Sequence, residues 1–320
     1  MMPIGNATAS YTATIGSSTV DSRLFYNIFQ IFILFMTAPS LCLFFSITIT
    51  IFIEMKLREN SRYILFANLL ACDTFFLLYS TIMATLIWLQ TNLSLTSCNV
   101  NTMVSTILNQ SGVMCVTLMS VERYVAICHP FHHPRWFSHR KTLQFLAVIW
   151  SIASVFPLAS GILVFTSGVT VNNTRTCSSY LTDSLMPNPM AIAVLREFPN
   201  AVIFTVCIIA LIFTYFNIMM AARKASDDVS KAKRAKQTVV LHGLQLFLYL
   251  CSLGNTLFAI LFAKMTSDPN VMTILRLCNY LFLYYSSRFV VPLIYGIRDK
   301  QLRQCLRKKI TCHYNRVTTF

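Results

Sequence analysis

The chain has 320 residues, of which 55% are hydrophobic and only 12% charged, with 25 Phe and a formal net charge of +15. A soluble globular domain carries about 25% charged residues, and this much apolar surface cannot be hidden inside one water-soluble core of this length. The positive charge is gathered in short segments between apolar runs, so it reads as a membrane-topology signal and argues against a nucleic-acid surface.

Residues 1–24 form a polar tail rich in Ser and Thr. They lead directly into an apolar stretch too long for a signal-peptide core, so the first span is expected to act as an uncleaved signal anchor. Runs long enough to cross a hydrocarbon core lie near 25–53, 63–89, 98–121, 142–164, 198–222, 238–263 and 271–297. His242 and Gln245 blur the start of the sixth. Apart from Asp73, Arg276 and Arg288, these stretches hold no Asp, Glu, Lys or Arg. A backbone in lipid must satisfy its hydrogen bonds within its own segment, and a charge there is costly, so the pattern predicts seven spanning α-helices. Pro39, Pro157, Pro199 and Pro292 fall inside spans, where kinks are tolerated. The expected organisation is an all-α membrane protein, with an extracellular tail at 1–24, a seven-helix bundle at 25–297 and a cytoplasmic segment at 298–320.

Orientation follows from the connectors. Segments 54–62, 122–141, 223–236 and 298–316 carry 3, 4, 6 and 7 Lys or Arg, whereas the tail and the opposite connections hold only Arg23, Arg175, Arg196 and Lys264. The asymmetry places the first set in the cytoplasm and the N-terminus outside. Three glycosylation sequons, at Asn6, Asn92 and Asn172, fall on that outer side. A fourth match at Asn109 lies inside the third span and is not expected to be modified. Cys98 opens the third span and Cys177 lies in the longest outer connection, about 165–197. In an oxidising compartment these two are placed to pin the loop to the helix top, the alternative being two separate outward-facing thiols.

After the last span, Asp299 to Ile310 alternates basic residues with Leu302, Leu306 and Ile310, as in a short amphipathic helix against the inner leaflet. Cys305 and Cys312 are candidate lipidation sites there, with free juxtamembrane thiols as the alternative. The 11 cysteines lack the paired short spacings of zinc or thioredoxin-like sites. With no HExxH, no glycine-rich phosphate loop and no clustered nucleophile and base, neither an enzyme nor a resident metal or cofactor is expected. His129, His132, His133 and His139 read as polar, partly basic loop surface.

Met119 to Pro130, reading MSVERYVAICHP, resembles the signature at the cytoplasmic end of the third helix in rhodopsin-like G-protein-coupled receptors, above all its odorant-receptor version. Asn68 to Asp73 is similar to the family's second-helix motif, Trp150 to its fourth-helix tryptophan, and Lys233 to His242 loosely to its sixth-helix entry. Pro292-Leu293-Ile294-Tyr295 followed by Arg298-Asp299-Lys300 resembles its seventh-helix ending. Cys98 stands 25 residues before Arg123, the family spacing. The departures are Phe44, Phe45 and Ser46 where the family usually has Gly-Asn, Val291 before Pro292, Glu122 in place of Asp, and a single cysteine in the long outer loop. They are similar to the divergent odorant receptors of fish, and they leave room for an atypical or poorly signalling receptor.

The resemblance implies a receptor in the plasma membrane, including the ciliary membrane of olfactory neurons, that turns on a heterotrimeric G protein of the cyclic-AMP-raising class, with arrestin and receptor kinase as further partners. It gives Glu122, Arg123 and Tyr124 the role of an inner switch, completed by Tyr215 and Tyr295: Arg123 meets its neighbouring carboxylate at rest and lines a cytoplasmic cleft when the sixth helix moves out. The basic stretch from Arg223 to Lys236 faces the G protein or, equally well, anionic lipid headgroups. Asp73, alone in the second span, demands a partner. The resemblance makes it a sodium-linked switch, and Arg288, one turn before Pro292, offers a protein cation in its place.

A ligand site belongs in the outer half of the bundle. Ser105, Leu108, Asn109 and Gly112 recur there at about one-turn spacing. Ser105 stands where amine receptors carry an Asp, which argues against a monoamine. A pocket mixing apolar contacts with Ser105, Asn109, Tyr249 or Asn255 suits a small organic or amino-acid-like ligand, whereas the ordinary role of such residues is hydrogen bonding between helices. A rhodopsin-like receptor for a non-odorant ligand is the first alternative. A transporter is the second, disfavoured by the few intramembrane charges and the absence of an internal repeat.

Overall fold

The computed structural model describes residues 20–89, 91, 93–169, 187–224 and 302–305, with scattered positions between 247 and 288. Over these the chain is an all-α bundle, with five helices long and apolar enough to cross a membrane. Most of the sixth and seventh expected spans, the tail 1–19 and most of the outer loop around Cys177 lie outside the described residues.

Helix α1 (Val20–Ile53) runs through Pro39 without a break. Glu54 is extended and ends the span, and one turn, α2 (Met55–Arg58), leads to α3 (Ser61–Trp88). Helix α4 (Leu95–Cys128) opens on an N-cap: Ser94 Oγ accepts from Ser97 N at 3.1 Å, satisfying one of the amide groups a helix start leaves bare. A short α5 (His133–Trp136) follows, with Pro134 in its first turn, then α6 (His139–Thr166) through Pro157. Helix α6 stops where Ser167 N returns to Leu163 O at 3.1 Å and Gly168 takes a φ of +71°, a conformation glycine adopts without a Cβ clash. Helix α7 (Pro189–Lys224) continues through Pro199.

The fifth span begins nine residues earlier than the hydropathy pattern indicates, at Pro189, so Arg196 and Glu197 sit inside a helix and not in the outer connection. Hydropathy ends a span at its first charges, whereas the fold keeps Arg196 in the helix by burying it against α4. The third span likewise extends beyond its apolar run at both ends, from Leu95 to Cys128, and so takes in Glu122 and Arg123.

Helix α4 is the hub, packing on α3, α6 and α7, while α1 packs chiefly on α3. One apolar cluster joins these helices, with Leu65, Phe66, Leu69 and Leu70 against Val113, Cys115 and Val116, and with Ile149 and Leu211 closing its sides. Leu302 is buried in the same cluster while Arg303 and Gln304 are exposed, the division an amphipathic segment after the last span requires. Cys305, a lipidation candidate, is a free thiol partly packed on that core. Elsewhere the large apolar side chains turn outward: Phe35 is 69% exposed, Ile212 65% and Phe52 64%. In water such a surface is prohibitive, and in lipid it is the solvent-facing side.

With little hydrophobic drive between helices in lipid, polar pairs and close packing hold the bundle. Thr37 and Thr81 share a 2.8 Å hydrogen bond and Gln30 Nε2 donates to Thr85 Oγ1 at 2.6 Å, joining α1 to α3. Trp150 Nε1 donates to Asn68 Oδ1 at 3.1 Å, and Asn68 Nδ2 reaches Cys115 Sγ at 3.5 Å, tying α6, α3 and α4 together.

Candidate functional site

The inner end of α4 carries the first constellation. Glu122 is 3% exposed, which a carboxylate tolerates only with partners. Arg123 Nε lies 3.5 Å from its Oε2, and His133 Nε2 lies 2.9 Å from its Oε1. The second contact escapes the sequence reading, which leaves His133 on the loop surface. The turn after Cys128 folds α5 back beneath α4, and only that return brings residue 133 to residue 122. Stacking on Phe137, with ring centroids 5.8 Å apart, orients the imidazole.

Tyr124, beside the pair, shares a 3.2 Å hydrogen bond with His129 Nε2 and meets Phe213 of α7 edge-on at 5.7 Å. Tyr215, on α7, is 44% exposed, and no hydrogen bond or ring contact joins it to this cluster among the described residues. Tyr295 and the basic stretch 225–236 lie outside the described residues.

The second constellation lies in mid-bundle. Arg288 Nη1 donates to Asp73 Oδ1 at 3.1 Å, with both side chains essentially inaccessible. Arg288 Nη2 donates to Asn109 Oδ1, and the guanidinium carbon stands 3.8 Å above the centre of the Phe76 ring. Guanidinium is weakly hydrated, flat and rich in donors, so it suits a site that supplies a carboxylate, an amide oxygen and a π face together. Asn109, expected among ligand contacts, thus has a partner inside the bundle. Ser105 and Gly112 share its face at helical spacing, and Leu108 is buried.

The departures in α1 become legible beside this pair. Phe44 packs its ring edge on Phe75 at 6.1 Å, and Phe45 is 56% exposed. Where the resembling family places Gly-Asn, this chain therefore contributes aromatic surface at Phe44 and Phe45, and Ser46 O accepts from Thr50 Oγ1 at 2.7 Å.

A third feature opens on a different face of α4. A crevice between α4, α6 and α7 is lined by Thr102, Met103, Thr106 and Gln110, by Phe156, Pro157 and Ser160, and by Arg196. Arg196 Nη2 donates to Asn99 Oδ1 at 3.2 Å, and Asn99 Nδ2 donates to Gly161 O at 3.1 Å. None of the ligand candidates named from the sequence lines it. The polar residues of the third span allow several helical faces, and hydropathy does not choose between them.

At the outer end of α4, Cys98 is buried and disulfide-bonded, while Cys177 lies outside the described residues. Asn6, Asn92, Asn172, Tyr249, Asn255 and Cys312 lie outside them too.

Comparison with known proteins accounts for the inner signature. Residues 44–295 match the family described as 7 transmembrane receptor (rhodopsin family). The chain is 29% identical to odorant receptor 131-2 of Danio rerio over 82% of its own length and 79% of that protein's. It is 23% identical to olfactory receptor 6X1 of Homo sapiens over 92% of its length and 91% of that protein's. It is 26% identical to neuromedin-U receptor 2 of Rattus norvegicus over 64% of its length, spanning 55% of that relative.

Proposed function

We propose that this chain, which belongs to the rhodopsin family of seven-transmembrane receptors, is a chemosensory receptor of the odorant kind that answers a small ligand by activating a heterotrimeric G protein. Receptors of this family are not enzymes. The observation that carries the reading is the arrangement at Glu122: a buried carboxylate holding Arg123 and His133 at the cytoplasmic edge of the hub helix. Similarity to the Danio rerio odorant receptor supports the ligand class. The basic connectors support an N-terminus outside the plasma membrane.

In the resting arrangement Glu122 keeps Arg123 folded along α4 and, through His133, keeps α5 close beneath the bundle. Opening of the inner end separates Arg123 from Glu122 and turns its guanidinium into the cleft where the G protein inserts. The cyclic-AMP-raising class is the partner the odorant-receptor resemblance favours, with arrestin and receptor kinase acting on the opened state. Cys98 and Cys177 pin the outer loop, and Asn6, Asn92 and Asn172 carry glycans.

The test is expression with a promiscuous G protein and a screen of amino acids, bile acids, nucleotides and volatile odorants, with Arg123→Ala as the silent control. A ligand-dependent signal absent from Arg123→Ala is expected. A signal of equal size in that variant would overturn the mechanism. A tag on Met1 reached only after permeabilisation would overturn the topology.

A further inference from the structure

The corner between α5 and α6 gathers positive charge with no carboxylate to oppose it. The chain holds no Asp or Glu from Arg123 to Thr182, and Arg135, Arg140 and Lys141 all stand exposed at this corner. Lys141 Nζ donates to Arg135 O at 2.8 Å, so the ammonium bends back over α5 and adds its charge beside that helix. Glu122, the nearest acid along the chain, is buried and taken up by Arg123 and His133. Phe137 meets Phe145 with ring centroids 5.9 Å apart, which fixes the turn against α6. Like charges held together in this way repel one another, a cost that a bound anion removes.

The second observation is the helix face that continues from Lys141. Phe145, Val148, Ile152 and Val155 follow it at alternating steps of four and three residues, the spacing of one helical face, and all of them are exposed. In a bilayer such a stripe faces acyl chains. At 1.5 Å per residue it runs roughly 20 Å from Lys141 to Val155, enough to pass one leaflet's half of a hydrocarbon core about 30 Å thick. A phospholipid whose chain lies along the stripe therefore sets its headgroup at Lys141. Trp136, 47% exposed and leaning on His132 with ring centroids 5.7 Å apart, stands at the same corner, and it is the ring type that concentrates at headgroup level.

We propose that the corner of α5 and α6 binds an inner-leaflet phospholipid whose headgroup carries phosphomonoesters, the phosphoinositide class, with the phosphates on Arg135, Arg140 and Lys141 and an acyl chain along Phe145 and Val148. The inference rests on the topology proposed above, which puts this corner on the cytoplasmic side. Guanidinium groups take phosphate oxygens in pairs and ammonium takes them as a point charge. A headgroup of several charges thus gains from all three cations, about fivefold in affinity from each, whereas a singly charged headgroup gains from a fraction of them. The bound headgroup also ties α5 to the leaflet, and α5 carries His133, the outer hold on Glu122.

The experiment uses the full chain in detergent micelles doped with phosphatidylinositol bisphosphate, phosphatidylserine or phosphatidylcholine, with bound lipid counted by native mass spectrometry. Phosphatidylinositol bisphosphate is expected to bind in preference to the other two, and soluble inositol trisphosphate, which has no chain for the stripe, to compete poorly. Changing Arg135, Arg140 and Lys141 together to Gln is expected to weaken the phosphoinositide about 100-fold, and each single change about fivefold. The single variants carry the test if the triple variant does not fold. A control with Lys231, Lys233, Arg234 and Lys236 changed to Gln is expected to keep the preference. Undiminished binding by the three single variants, an equal loss in the control, equal binding of phosphatidylserine or full competition by the soluble headgroup overturns the proposal. Binding in micelles depends on neither topology nor signalling, so its failure leaves the receptor reading standing, and an inward-facing tag on Met1 breaks that reading without touching the lipid result.

Discussion

Asp73 and Glu122 are both nearly inaccessible carboxylates that face an arginine, yet their surroundings differ. The partner of Asp73, Arg288, is 0% exposed, clasped by Asn109 and covered by Phe76. The partners of Glu122, Arg123 and His133, are 18% and 25% exposed at the rim of the bundle. A charge pair sealed in apolar surroundings cannot trade its partner for water without a large desolvation cost. A pair whose cations already touch solvent exchanges them cheaply. On the proposed reading the middle pair acts as a fixed strut, and the cluster at Glu122 as a latch.

The largest expected effect tests the strut. Arg288→Met leaves the Asp73 carboxylate buried without its cation, a change that costs about 3–5 kcal/mol and should remove most of the protein from the cell surface, as measured by antibody binding to an N-terminal tag. The exchange Asp73→Arg with Arg288→Asp should recover part of that loss. If the exchange recovers nothing lost by either single change, the two residues do not act as a pair and the contrast with Glu122 collapses.

The latch should behave in the opposite way, surviving damage but signalling differently. Glu122→Gln keeps the shape and removes the charge that restrains Arg123, so basal cyclic AMP should rise several-fold while surface level changes little. His133→Ala removes only the outer hold, a hydrogen bond to a charged group worth about 1.5–3 kcal/mol when buried and less at this exposure. A smaller rise in basal signal is expected, and a rise equal to that of Glu122→Gln would make His133 the principal restraint. The smallest effect belongs to the scaffold between the two regions. Trp150→Phe deletes the bond to Asn68 Oδ1, for a loss of about 1 kcal/mol, visible as a fall in melting temperature with signalling retained.

Much of the site was legible residue by residue and little of it as geometry. Glu122 and Arg123 were found because they are adjacent in the chain, so their meeting needs no tertiary information. The Asp73 and Arg288 juxtaposition was one of two open alternatives: a lone buried carboxylate announces that it needs a cation, but not which one. The contact of His133 is hidden from the sequence because its histidine-rich loop carries no periodicity, and hydropathy places Arg196 in the outer connection because it stops at a charge. The sequence does not show that Gln110 bonds Asn200, because one polar residue on a long helix reveals neither its face nor its partner.

The sequence by itself determined that the chain is helical, that it crosses a membrane repeatedly and that its basic connectors share one side, because lipid imposes these as sums over whole segments and the sums tolerate local exceptions. Only the tertiary structure decided which face of α4 meets Arg288, which borders the crevice at Arg196, and how α5 returns beneath Glu122. Those outcomes depend on the rotation of each helix about its axis, which the packing of its neighbours sets to within a fraction of a turn and which hydropathy does not encode.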